Sequence, residues 1–153
     1  MLRALDRLVE AAIGAIALAL IVTAFGQVLA RYLFSRPFGW VLEVDVLLMV
    51  WLTMLSGYLG VRRRSHMATD FLVARLPEPR RGQVAIAVQL LCGLLVALIG
   101  WNSFAIVEAM QGMRFVSIEL DQSALYWSLP IGMGLMLLAI AVDLSARVRA
   151  ALQ

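Results

Sequence analysis

The chain has 153 residues, of which 63% are hydrophobic and 15% are charged, and its formal net charge is +3. Soluble domains average about 45–50% hydrophobic and about 25% charged residues, so this composition excludes an ordinary soluble domain. All 13 basic residues are arginines that flank apolar runs, where they determine membrane topology, so nucleic-acid binding is not expected.

Four uncharged apolar runs predict four membrane-spanning helices. A spanning helix needs about 20 residues, because the hydrocarbon core is about 30 Å thick. The runs are Ala11–Ala30, Val46–Val61, Val84–Val107 and Ala124–Val142. With their flanks they predict spans at about 8–34, 41–61, 80–109 and 123–145. The predicted fold is an all-α integral membrane protein that forms a single membrane domain over residues 1–153.

The arginines are distributed unevenly between the two sides of this predicted membrane protein. Ten of them fall on the two tails and the second connector, and three fall on the other two connectors. The positive-inside rule therefore predicts that both termini and the connector 62–79 are cytoplasmic. Within that connector, residues 67–76 are largely apolar but too few to span, and they predict a short interfacial helix.

Small and polar residues recur at intervals of four in the first span. Ala15 and Ala19 belong to this row, Gln27 continues it, and Arg31 ends it. Small residues let another helix approach closely, and amides form hydrogen bonds between helices. The row indicates a packing ridge, although alanine is common in apolar helices and the spacing also arises by chance.

The other spans carry fewer polar residues. Glu43 and Asp45 open the second span and project about 200° apart, so they do not form a paired-carboxylate site. Gln89 and Asn102 in the third span are predicted to join helices, since amides serve this purpose in membranes. Pro130 predicts a kink in the fourth span.

Several chemistries are not expected. Haem ligation requires axial ligands, usually histidines, and His66 is the only histidine. Cys92 is the only cysteine, which excludes a disulfide pair within the chain. The four uncharged runs hold no ionisable residue for a proton pump. We therefore predict no enzyme activity and no catalytic, cofactor or metal site, and instead an accessory subunit of a larger membrane partner.

Several short motifs lie along almost the whole chain. In the segment Arg62–Asp70, an arginine pair precedes His66 and Asp70. The other segments are Arg31–Phe34, Trp40 with Glu43, Trp51-Leu52 followed by Gly57, and Ser128–Gly132. These motifs resemble those of the small membrane subunit (DctQ-like) of tripartite ATP-independent periplasmic (TRAP) transporters, and Arg62–Asp70 is the most specific of them. With the ridge, they give the expected partner and lipid interface: Ala15, Ala19, Gln27, Arg31, Trp40, Glu43, Trp51, Gly57, Arg62, Arg63, Arg64, His66, Asp70 and Pro130.

The resemblance implies a function and a set of partners. A large polytopic TRAP subunit would carry the substrate and sodium sites, and the small subunit would pack against it and anchor it in the lipid bilayer. A periplasmic substrate-binding protein would dock on the periplasmic face. Symport of organic acids such as dicarboxylates across the bacterial inner membrane would use ion gradients, with no cofactor on this chain.

Two other functions fit the same architecture. One is the small subunit of a tripartite tricarboxylate transporter, which has a similar four-helix arrangement. The other is a non-transport membrane anchor or scaffold protein, which no large polytopic partner would accompany. The segment Arg62–Asp70 favours the TRAP transporter over the tricarboxylate transporter.

Overall fold

The protein is all-helical in the computed structural model, which describes residues 3–35, 38–63 and 80–151. The helices are α1 (Arg3–Phe34), α2 (Gly39–Arg62), α3 (Arg80–Ala109), α4 (Ser123–Tyr126) and α5 (Ser128–Ala151). Within these ranges, four helical stretches are long and apolar enough to cross a membrane: Arg3–Phe34, Gly39–Arg62, Ile86–Ala109 and Ser123–Ser145. The prediction of four long apolar helices is therefore confirmed.

Five of the predicted interface residues belong to the predicted second connector 62–79, and two of them, Arg62 and Arg63, are described. Arg64, His66 and Asp70 lie outside the described residues, as does the interfacial helix predicted at 67–76.

The long helices form an open row. Helix α1 packs on α2, α2 packs on α5, and α5 packs on α3. Among the described residues, α1 makes no close backbone approach to α3 or α5, and α2 makes none to α3. The order across the row is therefore α1, α2, α5, α3, with α5 in the interior and α1 and α3 as the two edges.

Close contacts at glycines hold α5 between its neighbours. A Cβ atom added to Gly132 would lie 2.7 Å from Cβ of Met54 on α2, and one added to Gly100 on α3 would lie 3.1 Å from Cβ of Met133. Small residues let membrane helices approach until their backbones nearly touch, which increases dispersion contact. Glycine is therefore required at Gly132, where a side chain would displace α2.

The fourth span is interrupted near its start. The predicted kink at Pro130 takes the form of a break at Trp127, which separates α4 from α5 and leaves Pro130 buried in the first turn of α5. A proline there lacks only an N–H group that has no partner within the helix. The Trp127 N–H donates to the Ser123 carbonyl at 2.9 Å, which keeps the chain compact across the break.

A small hairpin connects α3 to α4. It comprises residues 113–122, and we call it the connector hairpin. Its backbone pairs the Gln122 N–H with the Met113 carbonyl at 2.8 Å and the Phe115 N–H with the Leu120 carbonyl at 3.0 Å. Gly112 enters it with a φ of +80°, a conformation that glycine adopts without strain.

Candidate interaction surface

The first polar cluster joins the start of α1 to the end of α2. Arg62 donates from Nε and Nη2 to the two oxygens of Asp6, at 3.0 and 2.8 Å. The Tyr58 hydroxyl donates to Asp6 Oδ1 at 2.6 Å. Tyr58 is fully buried, and both side chains of the ion pair are about a quarter exposed. A planar guanidinium that meets a carboxylate through two bonds fixes the relative position of the helices.

A second ion pair lies beside this cluster. Arg63 Nη2 donates to Glu10 Oε1 at 2.7 Å, with both side chains well exposed. An exposed pair of this kind contributes little to stability. We call Asp6, Glu10, Tyr58, Arg62 and Arg63 together the arginine clasp. Two of the predicted interface residues, Arg62 and Arg63, therefore bind α1 of their own chain.

The opposite end of the α1–α2 pair is held by an amide. Gln27 Nε2 donates to the Phe38 carbonyl at 3.1 Å, and Gln27 Oε1 accepts from the Phe38 N–H at 3.0 Å. The backbone N–H and carbonyl of one residue, Phe38, are thus both satisfied by one side chain, which is important in a membrane, where water is scarce. Gln27 positions the turn into α2.

The two carboxylates at the start of α2 point to different neighbours, as their spacing predicts. Glu43 accepts from the backbone N–H groups of Val116 at 2.9 Å and of Ser117 at 2.9 and 3.1 Å. Asp45 Oδ1 accepts from the Thr23 hydroxyl at 2.5 Å. Glu43 therefore anchors the connector hairpin, and Asp45 joins α2 to α1.

Three further predicted residues lie on α2. Trp51 Nε1 donates to the Ala124 carbonyl of α4 at 3.1 Å, so its indole joins α2 to the interrupted span. Gly57 faces the end of the Met136 side chain, which occupies the space that a larger residue would fill. Trp40 is exposed, with its ring centroid 6.2 Å from that of Phe38.

The predicted ridge on α1 does not lie on one packed face. Ala15 and Arg31 are exposed, whereas Ala19, Thr23 and Gln27 are half-buried against α2. A step of four residues turns about 400° around a helix, so the row drifts about 40° per step and leaves the contact within a few turns. Arg31 has no ion pair or hydrogen bond among the described residues.

Two amides on α3 point in different directions. Gln89 Nε2 donates to Asp143 Oδ2 at 3.0 Å and to the Ile140 carbonyl at 3.3 Å, so Gln89 joins α3 to α5. Asn102 donates to the Leu98 carbonyl of its own helix at 2.8 Å and is exposed. The prediction that these amides join helices therefore holds within this chain for Gln89 and not for Asn102.

The sequence interpretation missed Asp6, Tyr58 and Gly132. A signal for the first was present, because Asp6 and Glu10 lie one turn apart near the chain start and Arg62 and Arg63 end the next span. Consecutive antiparallel helices bring those ends together. Tyr58 and Gly132 carry no comparable sequence signal, since their importance depends on what faces them.

In the parts of the chain that the structure describes, no group of three or more His, Cys, Asp or Glu side chains could hold a metal ion. Most of the polar contacts described above instead connect helices or loops of this chain.

Residues 18–150 match the family model described as "Tripartite ATP-independent periplasmic transporters, DctQ component". The chain belongs to this family. It is therefore the small permease component of a TRAP transporter and a multi-pass membrane protein, and a tripartite system implies partner subunits. Members of the family are transporter permeases and not enzymes.

Two relatives are similar in sequence to part of this chain. The chain is 31% identical over 87 residues to the C4-dicarboxylate TRAP transporter small permease protein DctQ of Vibrio cholerae. This match covers 55% of the chain and 38% of the relative. The chain is also 33% identical over 85 residues to the sialic acid TRAP transporter permease protein SiaT of Haemophilus influenzae. This match covers 56% of the chain and 14% of the relative. The matches therefore span well under half of each relative.

Proposed function

We propose that this TRAP component packs against the large membrane subunit of an ion-gradient-driven transporter for organic acids and anchors that subunit in the bacterial inner membrane. A periplasmic substrate-binding protein docks on the assembled complex. The observation that carries the proposal is the family match over residues 18–150. The open helix row supports it, because a row with two uncovered edges offers long apolar surfaces to a partner.

The proposed substrate class follows from the relatives' names. One is named for C4-dicarboxylates and the other for sialic acid, and both compounds are carboxylic acids. The chain's own polar side chains are engaged largely in joining its helices and loops. We therefore assign substrate binding and ion coupling to the partner subunits.

The proposed orientation places the arginine clasp at the cytoplasmic face and the connector hairpin at the periplasmic face. It rests on the ten arginines that flank the cytoplasmic side in this topology, against three on the other side. Reporter fusions at the second connector and at the connector hairpin test it. Periplasmic reporter activity from the second connector would refute the orientation. Replacement of Arg62, Arg63 and Arg64 by Ala is expected to weaken the cytoplasmic bias.

The function is tested by affinity purification of the tagged chain from mildly solubilised native membranes, followed by mass spectrometry. We expect recovery of a polytopic membrane subunit with about a dozen spans. Proteoliposomes that hold both subunits, supplied with the binding protein and an inward ion gradient, should accumulate a radiolabelled carboxylate. Proteoliposomes with this chain alone should not. Recovery of the chain alone, or with a soluble enzyme, would contradict the proposal and favour a non-transport anchor.

A further inference from the structure

Helix α3 carries an exposed amide at membrane depth. The Asn102 side chain makes one hydrogen bond, from Nδ2 to the Leu98 carbonyl. Among the described residues, its second N–H and its Oδ1 atom have no partner. A polar group without a partner costs free energy in hydrocarbon, because no water is there to replace the missing bond.

The depth of Asn102 follows from the contacts of the neighbouring turn. Gly100 packs on Met133, which is the central residue of the uncharged run Ala124–Val142. Gly132 of α5 in turn packs on Met54 of α2, which lies close to the middle of the run Val46–Val61. Asn102 is two residues from Gly100, or about 3 Å along the helix axis. The amide therefore lies within the apolar layer, five residues before the end of its own run Val84–Val107, at a depth where water is scarce.

The direction of Asn102 follows from the helix geometry. Gly93 and Gly100 face Ile140 and Met133 of α5. At 100° per residue, Asn102 projects about 180° from Gly93 and about 200° from Gly100. This direction leads away from α5, and α3 is an edge of the row. The amide therefore points out of this chain.

The surroundings of Asn102 form a continuous outward face. Trp101 beside it is 80% exposed. Other exposed large side chains on this face include Leu91, Leu94, Leu95 and Leu98. Side chains that need polar partners are rarely left facing lipid within a membrane span. An isolated amide on an apolar face is typical of a helix–helix contact, where it forms a hydrogen bond to the neighbouring helix. We define these six residues as the α3 outer face.

The other edge of the row differs. The exposed large side chains in the middle of α1 are apolar: Leu18, Ile21, Val22 and Phe25. The polar residues of that segment, Thr23 and Gln27, turn inward and bond to Asp45 and Phe38. The middle of the α1 edge therefore offers lipid a wholly apolar surface, whereas the α3 edge does not.

We propose that the α3 outer face is the docking surface for the large TRAP subunit, and that a spanning helix of that subunit places a hydrogen-bonding side chain opposite Asn102. The α1 edge faces lipid. This inference rests on the proposed function and adds to it which edge of the row meets the partner.

The assignment of the docking surface to the α3 edge is tested by photocrosslinking in native membranes that contain the complete transporter. A photoreactive amino acid is placed at Leu94 or Leu98 of the α3 outer face, and at Ile21 or Phe25 of α1 as controls of similar exposure. We expect crosslinks to the large subunit to be several-fold more abundant from the α3 positions. Preferential crosslinks from α1, or crosslinks from α3 to a second copy of this chain, would overturn the inference.

The amide is tested by two variants in the same membranes. Asn102→Leu should lower the amount of large subunit recovered with the tagged chain by about three- to tenfold, the effect of one hydrogen bond between membrane helices. Asn102→Gln should restore part of the recovery. Both variants should leave the thermal stability of the chain alone unchanged, because Asn102 bonds only to its own helix. Equal recovery with Leu and wild type would contradict a role for the amide.

The two proposals fail in distinguishable ways. If the wild-type chain recovers the large subunit and the α3 positions do not crosslink to it, the assignment of the edge is wrong and the proposed function stands. If the wild-type chain recovers no large subunit, both proposals are wrong.

Discussion

The junction of α1 with α2 is held by different forces from the two junctions that α5 makes with α2 and α3. Helix α1 is joined to α2 by side-chain hydrogen bonds near both ends, through Asp6 with Arg62 and through Gln27 with Phe38. Helix α5 is joined to its neighbours by steric fit at glycines, through Gly132 against α2 and Gly100 against α3. Polar contacts tolerate small movements, whereas a glycine contact loses its fit when one carbon atom is added.

The difference follows from what each helix buries. The apolar segment of α1 has 6% of its residues buried, against 28% for the span that contains α5. A helix that buries little apolar surface against its neighbours gains little dispersion contact from packing, so hydrogen bonds determine its position. A helix with neighbours on two sides gains more contact, to which Gln89 adds hydrogen bonds between α3 and α5. Substitutions should therefore affect the two kinds of junction differently.

The largest effect is expected from Gly132→Ala. The new Cβ would lie 2.7 Å from Cβ and 3.4 Å from Cα of Met54, so the backbones of α2 and α5 must separate. Overpacking of this kind costs about 1–3 kcal/mol. Thermal unfolding in detergent measures the loss. Gly134→Ala is the control, because no atom lies within 4 Å of the added Cβ atom. Equal stability of the two variants would show that α5 is not held by close contact.

A smaller effect is expected from Tyr58→Phe. The substitution removes the hydrogen bond to Asp6 and keeps the buried ring, so the free energy of unfolding should fall by about 1 kcal/mol. The same unfolding assay measures it. Tyr32→Phe, at an 80% exposed tyrosine, should change nothing. A Tyr58→Phe variant as stable as the wild type would mean that Arg62 alone suffices to hold Asp6.

A local effect is expected from Gln27→Leu. The Phe38 N–H loses its acceptor, so its hydrogen exchange should accelerate while global stability falls by less than about 1 kcal/mol. Gln27→Glu keeps an acceptor for the Phe38 N–H and should preserve most of the protection. If exchange at Phe38 is the same in all three proteins, the turn is held by other contacts.

The smallest change in stability is expected from Glu43→Leu. The backbone N–H groups of Val116 and Ser117 lose their acceptor, so exchange in the connector hairpin should rise while the melting temperature stays nearly constant. Glu119→Leu, at a hairpin carboxylate with no bond among the described residues, is the control. Unchanged exchange in the Glu43 variant would show that the hairpin does not depend on α2.

The four apolar helices, the family and the divergence of Glu43 from Asp45 could all be predicted from the sequence alone. Each depends on local quantities, namely the length of an apolar run, a motif, and the rotation per residue along one helix. A helix surrounded largely by lipid is apolar on nearly every face, so its pattern does not show which face meets another helix.

Four features became visible only once the helices were packed together. They are the order of the row, the burial of Tyr58 against Asp6, the position of Ala15 away from α2 and the outward direction of Asn102. All of these depend on residues distant in the sequence that approach each other, or fail to approach, in space. An alanine or an amide has the same identity whether it faces a neighbouring helix, lipid or a partner, and the packing of α5 between α2 and α3 is what distinguishes these cases.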